Sequence, residues 1–396
     1  MDKGVVKPLN YKIYILTVVA FVAGMVELIV GGILDLVADG LNVSISTAGE
    51  LITIYSFVFA IASPILLVAT SKVERKALFL WTLFAFLCGN SLSFFSLNFT
   101  MLFISRMLSA ASGSLLIVLC VTIASSIVKE EFRARAIGTI FMGISGSLVL
   151  GVPLGLVIGH HFGWRGPFFF IIILTVLSMI GVFLFLQKIE PKPIIPLRKQ
   201  LSTLKDSKIL FAQLASFLFL TGHLTLYAYL TPFLQASLGL TPRWISIFYF
   251  IFGISAVFGG GVGGWFADKW GAKKSILSII GLFSVILFLL PKMTFSIIIF
   301  VIFMMVWSML SWAITPALQS YLIESAPETA DIQQGLNNSA LHFGIALGSI
   351  IGGVVIEESS VLNNAFVGGA FILLSLLCAV ISITRSSINR TSPNEV

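Results

Sequence analysis

Glu27, Arg106 and His223 interrupt apolar runs in this sequence, and each has a chemistry suited to such a setting. Glu27 lies in GMVELIVGGIL (residues 24–34), flanked by Met25, Val26, Leu28, Ile29 and Val30. An ionised side chain at mid-bilayer depth costs at least about 2.5 kcal/mol, so it turns to a bundle interior or to water. There a carboxyl group can bind and release a proton; the competing reading is an acid that only hydrogen-bonds within the fold. Arg106, in RMLSAASG (106–113), keeps its charge and therefore needs a partner or trapped water. It either acts on a nearby proton-binding carboxylate or forms a structural ion pair. His223, in TGHLTLYAYL (221–230), can stack or hydrogen-bond when neutral and sense pH when protonated, or it can simply pack.

A second set of residues carries no charge. The run DIQQGLNNSALHFG (331–344) gathers Asn337, Asn338, Ser339 and His342, with Asn338 and His342 four apart and so on one helix face. Adjacent amides in an apolar helix need a partner, either elsewhere in the fold or in a bound solute. Tyr55, Tyr227, Tyr229, Trp307 and Trp312 are aromatic candidates in comparable runs, each of which taken singly suits packing or lipid contact as well as stacking. Gln333 and Gln334 are expected only to solvate the end of their helix.

The element that must hold these groups is a membrane bundle. Hydrophobic residues make up 58% of the 396 and charged residues 10%, where a soluble domain carries about 25%. The net charge of +7 comes from basic residues scattered between apolar runs, so no nucleic-acid partner is expected. Cys88, Cys120 and Cys378 lack metal-ligand spacing, which argues against a zinc site or a disulfide framework. GISAVFGGGVGG (253–264) lacks a following Lys-Ser/Thr and reads as helix packing through small residues rather than a phosphate loop. No nucleophile–base set suggests an enzyme, and no cofactor is expected.

Spanning helices need about 20 mainly apolar residues. By that measure the chain is an all-α polytopic membrane protein with twelve transmembrane helices, over 11–34, 47–70, 77–97, 100–128, 135–159, 166–187, 209–236, 244–267, 275–291, 294–324, 334–356 and 362–385. The first is read as a retained helix rather than a cleaved signal. A polar linker, 188–208, separates a six-helix bundle over 1–187 from a second over 209–396. With connections assigned to alternate sides, 20 of the 24 Lys and Arg fall on one side, among them Lys3, Lys7, Lys192 and Arg390. The positive-inside rule then puts both termini and the linker in the cytoplasm, for a protein of the cell membrane.

A shift of 197 residues lays one half on the other. ATSKVERKALFL (69–80) falls on FADKWGAKKSIL (266–277), Gly151 and Gly155 fall on Gly348 and Gly352, and Glu27 falls on Leu224, beside His223. GGWFADKWGAKKS (263–275) resembles the signature loop of the major facilitator superfamily, which implies gating roles for Asp268, Gly271 and Lys273. The first-half copy departs from it, with Ser71 for the aspartate and Glu74 for the glycine. RMLSAASG resembles the fourth-helix arginine motif of drug/proton antiporters, with Ala110 in place of a glycine. SLVLGVPLG (147–155) resembles their fifth-helix motif, with its proline one place late.

Within the superfamily, VELIVGGIL (26–34), LYAYLTPFL (226–234), DIQQGLNNSAL (331–341) and GIALGSIIGGVV (344–355) resemble the bacterial purine efflux pumps. The resemblance implies a proton-driven exporter of purine bases or nucleosides, with drugs or sugars as alternative cargoes of the same fold. Glu27, Arg106 and His223 would handle the proton. Asn337, Asn338, His342, Tyr55, Tyr227 and Trp312 would meet the solute, since an amide can pair two-pronged with an adenine edge and aromatic stacking contributes about 1–3 kcal/mol per base. The expected partners of a monomer are protons, a small-molecule solute and the bilayer.

Overall fold

The computed structural model describes residues 11–129, 132–191 and 196–385; Lys3, Lys7, Lys192 and Arg390 lie outside them. The regular structure among the described residues is helical throughout. Among the described residues twelve helices are long and apolar enough to cross a membrane: α1 Tyr11–Gly32, α2 Ile45–Ala69, α3 Arg75–Phe94, α4 Phe99–Ser126, α5 Arg135–Phe162, α6 Gly166–Phe185, α7 Ser207–Tyr227, α8 Pro242–Trp270, α9 Ala272–Phe295, α10 Ile297–Ser325, α11 Ile332–Glu358 and α12 Val361–Thr384. Each coincides with one of the twelve expected segments. These helices are mainly apolar, and their surroundings differ. The most apolar stretch of α6 is 28% buried and turns Phe169, Phe183 and Leu184 outward, whereas that of α7 is 67% buried.

The chain forms two compact units, Met1–Ile194 with Thr241–Gly253, and Ile195–Leu240 with Ile254–Val396. The beginning of α8 thus sides with the first unit, where the Tyr249 hydroxyl donates to the Gly31 carbonyl at 3.3 Å.

The repeat seen in the sequence recurs in the backbone. The α1 helix stops at Gly32, Ile33 takes φ −102° and ψ 22°, and a short helix, Leu34–Leu41, ends on Asn42 at φ 53°. The α7 helix stops at Tyr227, Tyr229 takes φ −117° and ψ 27°, and Leu230–Leu238 ends on Gly239 at φ 61°. Asn42 and Gly239 are 197 positions apart. Glycine and asparagine are the residues that best tolerate this left-handed cap. Continuous helices over 11–34 and 209–236 are therefore corrected to broken ones.

Glycines line several close helix contacts. Gly151 and Gly155 of α5 seat against Met25 and Ile29 of α1, while Gly348 and Gly352 of α11 seat against the Thr221 and Thr225 carbonyls of α7. Gly259 and Gly263 of α8 meet the backbone of Met309 and Ala313 of α10, where any side chain would collide. The glycine-rich run is therefore a packing surface. One π turn, Ser147–Gly151, interrupts α5 just before Pro153.

Candidate functional site

In the first unit, α1, α2 and α4 bring Glu27, Tyr55 and Arg106 into one electrostatic group. Arg106 is wholly buried. Its Nη1 donates to the Val26 carbonyl of α1 at 2.8 Å, and its guanidinium carbon lies 4.1 Å from the centre of the Tyr55 ring. Nε and Nη2 find no hydrogen-bond acceptor among the described residues. Gly113 of α4 leaves room for the Tyr55 hydroxyl, which would stand 2.9 Å from any Cβ placed there. The half-buried Glu27 acts by its charge on both Arg106 and Tyr55.

The Val26 carbonyl and the Tyr55 ring hold the Arg106 cation without neutralising it. A guanidinium has five donors, and one hydrogen bond plus a ring face leaves much of its solvation unreplaced. A buried charge without an opposite charge is expensive, so the Glu27 carboxylate matters to Arg106 more than a surface acid would. A proton added to Glu27 removes that offset.

In the second unit the buried polar side chains among the described residues are amides, hydroxyls and histidines. His223 and Tyr227 of α7 stack at 5.3 Å with 18° between their planes. Trp307 of α10, wholly buried, stands edge-on to His223 at 5.4 Å, and Phe283 of α9 lies 5.8 Å from the same ring. Asn337 of α11 donates to Gln213 Oε1 at 2.9 Å and to Ser216 Oγ at 2.6 Å. Gln213 Nε2 in turn donates to the Gln333 carbonyl at 3.1 Å. Both amide hydrogens of Asn337 therefore serve the α7–α11 contact. Gln333 is fully buried in it and does not solvate a helix end, because Gln213 supplies it with an interior partner.

Asn338 is half-buried, and its backbone carbonyl accepts from His342 Nδ1 at 2.8 Å, which fixes the hydrogen on that nitrogen because a carbonyl only accepts. Trp312 is also half-buried, and Asp268, Gly271 and Lys273 are exposed at the α8–α9 turn. Tyr55 lies in the first unit, with Arg106, and Tyr227 in the second, with His223. Sequence reasoning misses Gln213 and Ser216. Their signal is a lone amide and a hydroxyl three apart in QLAS (213–216), the spacing of one helix face.

The family model described as Major Facilitator Superfamily matches residues 16–349. The uncharacterized MFS-type transporter YbcL of Bacillus subtilis (strain 168) is 33% identical over 372 residues, 94% of this chain and 95% of the relative. The inner membrane transport protein YdhP of Escherichia coli (strain K12) is 29% identical, covering 95% and 97%. A probable sugar efflux transporter of Helicobacter pylori (strain J99 / ATCC 700824) is 26% identical, covering 92% and 93%. The crystal structure of a bacterial homologue of the human lysosomal transporter Spinster shares the fold, with a TM-score of 0.79 at 14% identity over 97% of this chain and 98% of that one. The chain belongs to the major facilitator superfamily. It is a multi-pass membrane transporter, and neither its fold nor its relatives are those of an enzyme.

Proposed function

We propose that this transporter is a proton-coupled exporter in the cell membrane, with both termini cytoplasmic, and that its cargo is a purine base or nucleoside. The observation that carries the coupling is the buried Arg106, bonded once to α1 and offset by the charge of Glu27. Ionised, Glu27 balances Arg106. Protonated, it leaves Arg106 to the Val26 carbonyl and the Tyr55 ring, so the two protonation states favour different arrangements of α1 against α4. His223, enclosed by rings, is assigned to packing in this reading. The cargo reading is supported by the sequence runs that resemble purine efflux pumps and by Asn338, His342 and Trp312 on α11 and α10. Sugar export is the second reading, favoured by the name of the Helicobacter pylori relative.

Inverted membrane vesicles with an acidic interior test both. The expected result is uptake of adenine, hypoxanthine or a nucleoside that collapses with the pH gradient. Uptake of a sugar but no purine would replace the cargo, and uptake indifferent to the gradient would remove the coupling. Cysteines at Ser202 and Ser237, in a cysteine-free chain, should react with impermeant reagents from opposite sides of the membrane.

A further inference from the structure

Helix N-caps favour Ser, Thr, Asp and Asn, whose short side chains fold back onto the first free N–H groups. The α3 helix is capped instead by Glu74. Its Oε1 accepts from the Lys76 N–H and its Oε2 from the Ala77 N–H, both at 2.8 Å. The extra methylene gives this carboxylate reach, for Oε1 also accepts the Ile189 N–H of the central linker at 2.7 Å. Ile189 answers through its carbonyl, which accepts the Arg75 N–H at 3.0 Å. Next to it, Lys76 Nζ donates to the Phe183 carbonyl at the end of α6 at 2.9 Å. Desolvation pushes the Glu74 carboxyl up, but the N–H donors of Ile189, Lys76 and Ala77 and the charge of Lys188 outweigh it and hold it below its ordinary value. The equivalent residue of the second half, Gly271, has φ 82° and offers its helix no side-chain cap.

We propose that Glu74 anchors the central linker, pinning Ile189 to the N-terminus of α3. The linker is then held to the first unit as far as Ile189, rather than leaving it at the end of α6. The departure of this loop from the superfamily signature is thus a positioning role, independent of the cargo and of proton coupling.

Hydrogen–deuterium exchange resolved to single residues, on the full chain in lipid nanodiscs, tests this with Glu74→Asp and Glu74→Ala. Aspartate is a good cap but one methylene shorter. In Glu74→Asp the Ile189 amide should exchange about tenfold faster or more, while Lys76 and Ala77 stay protected. In Glu74→Ala all three should quicken. Ile189 exchanging at the same slow rate in wild type and Glu74→Asp would overturn the anchor, as would a wild-type Ile189 already at the rate of a free peptide. Should Glu74→Ala not insert, the wild type and Glu74→Asp decide the matter alone.

Discussion

By the 197-residue correspondence, Glu27 of the first unit stands against Leu224 of the second, and Glu74 against Gly271. In the other direction Gln213, Ser216, Gln333 and Asn337 stand against Leu16, Val19, Ala136 and Ile140, all four buried. The helix breaks and left-handed caps at Asn42 and Gly239 match, so the backbone was kept while the buried chemistry diverged. One unit buries charge around Arg106, between α1 and α4; the other closes its α7–α11 contact, the counterpart of α1–α5, with amides and hydroxyls. A duplicated scaffold therefore need not duplicate function. Under the proposed function, one copy responds to protons while the other offers donors and acceptors.

The largest expected effect tests the charged side of that contrast. Glu27→Gln keeps size and hydrogen bonding but cannot ionise, and it should lower transport driven by a pH gradient by about a hundredfold or more. Wild-type rate and pH dependence in reconstituted vesicles would make Glu27 a structural acid and erase the contrast. On the neutral side, Asn338→Ala should weaken purine binding roughly 5- to 150-fold, from a loss of about 1–3 kcal/mol. Direct binding in detergent should show a smaller loss for an aromatic ligand of similar size without edge donors and acceptors. An equal loss for both would assign Asn338 to packing.

Asn337 should behave differently from its neighbour. Asn337→Ala strands Gln213 Oε1 in the interior, leaves Ser216 Oγ only its bond to the Ala212 carbonyl, and should cost about 1–3 kcal/mol of stability in denaturant unfolding. Replacing Gln213, Ser216, Gln333 and Asn337 together by the Leu, Val, Ala and Ile of the first unit should recover most of that loss, because no polar group is then left unmatched. If it does not, the two helix contacts are less alike than their backbones. The smallest effect concerns Glu74, whose near neighbours in charge are Arg75 and Lys76 on its helix and Lys188 on the linker. Its folded carboxyl lies below its ordinary value of 4.5. Protection of the Ile189 amide should therefore be complete above that value and fade only as pH falls through the lower folded one. Exchange should be corrected for its intrinsic pH dependence. A loss of protection already at neutral pH would contradict it.

Much of the architecture is legible in the sequence because hydropathy and charge act over whole segments. Twelve apolar runs give twelve helices, and Gly151, Gly155, Gly348 and Gly352 announce close packing. The breaks after Gly32 and Tyr227 are not legible, since apolar residues continue straight through both. The candidate site is legible by residue type and not by direction. Asn337 and Asn338 look alike in sequence, yet successive helical residues point about 100° apart, and one serves α7 while the other is half-exposed. Similarly, Glu74 is visible as an anomaly in a signature, but its partner Ile189 lies 115 residues away.

The π turn at Ser147–Gly151 lies where α5 packs on α1. Such a turn takes up one residue more than an α turn. Gly143, Gly151 and Gly155 nevertheless fall in step on Thr17, Met25 and Ile29 of α1. The 197-residue correspondence likewise runs unbroken across the turn, from Ile140 and Asn337 to Gly151 and Gly348. A residue inserted or deleted here would throw one side of the seat out of register.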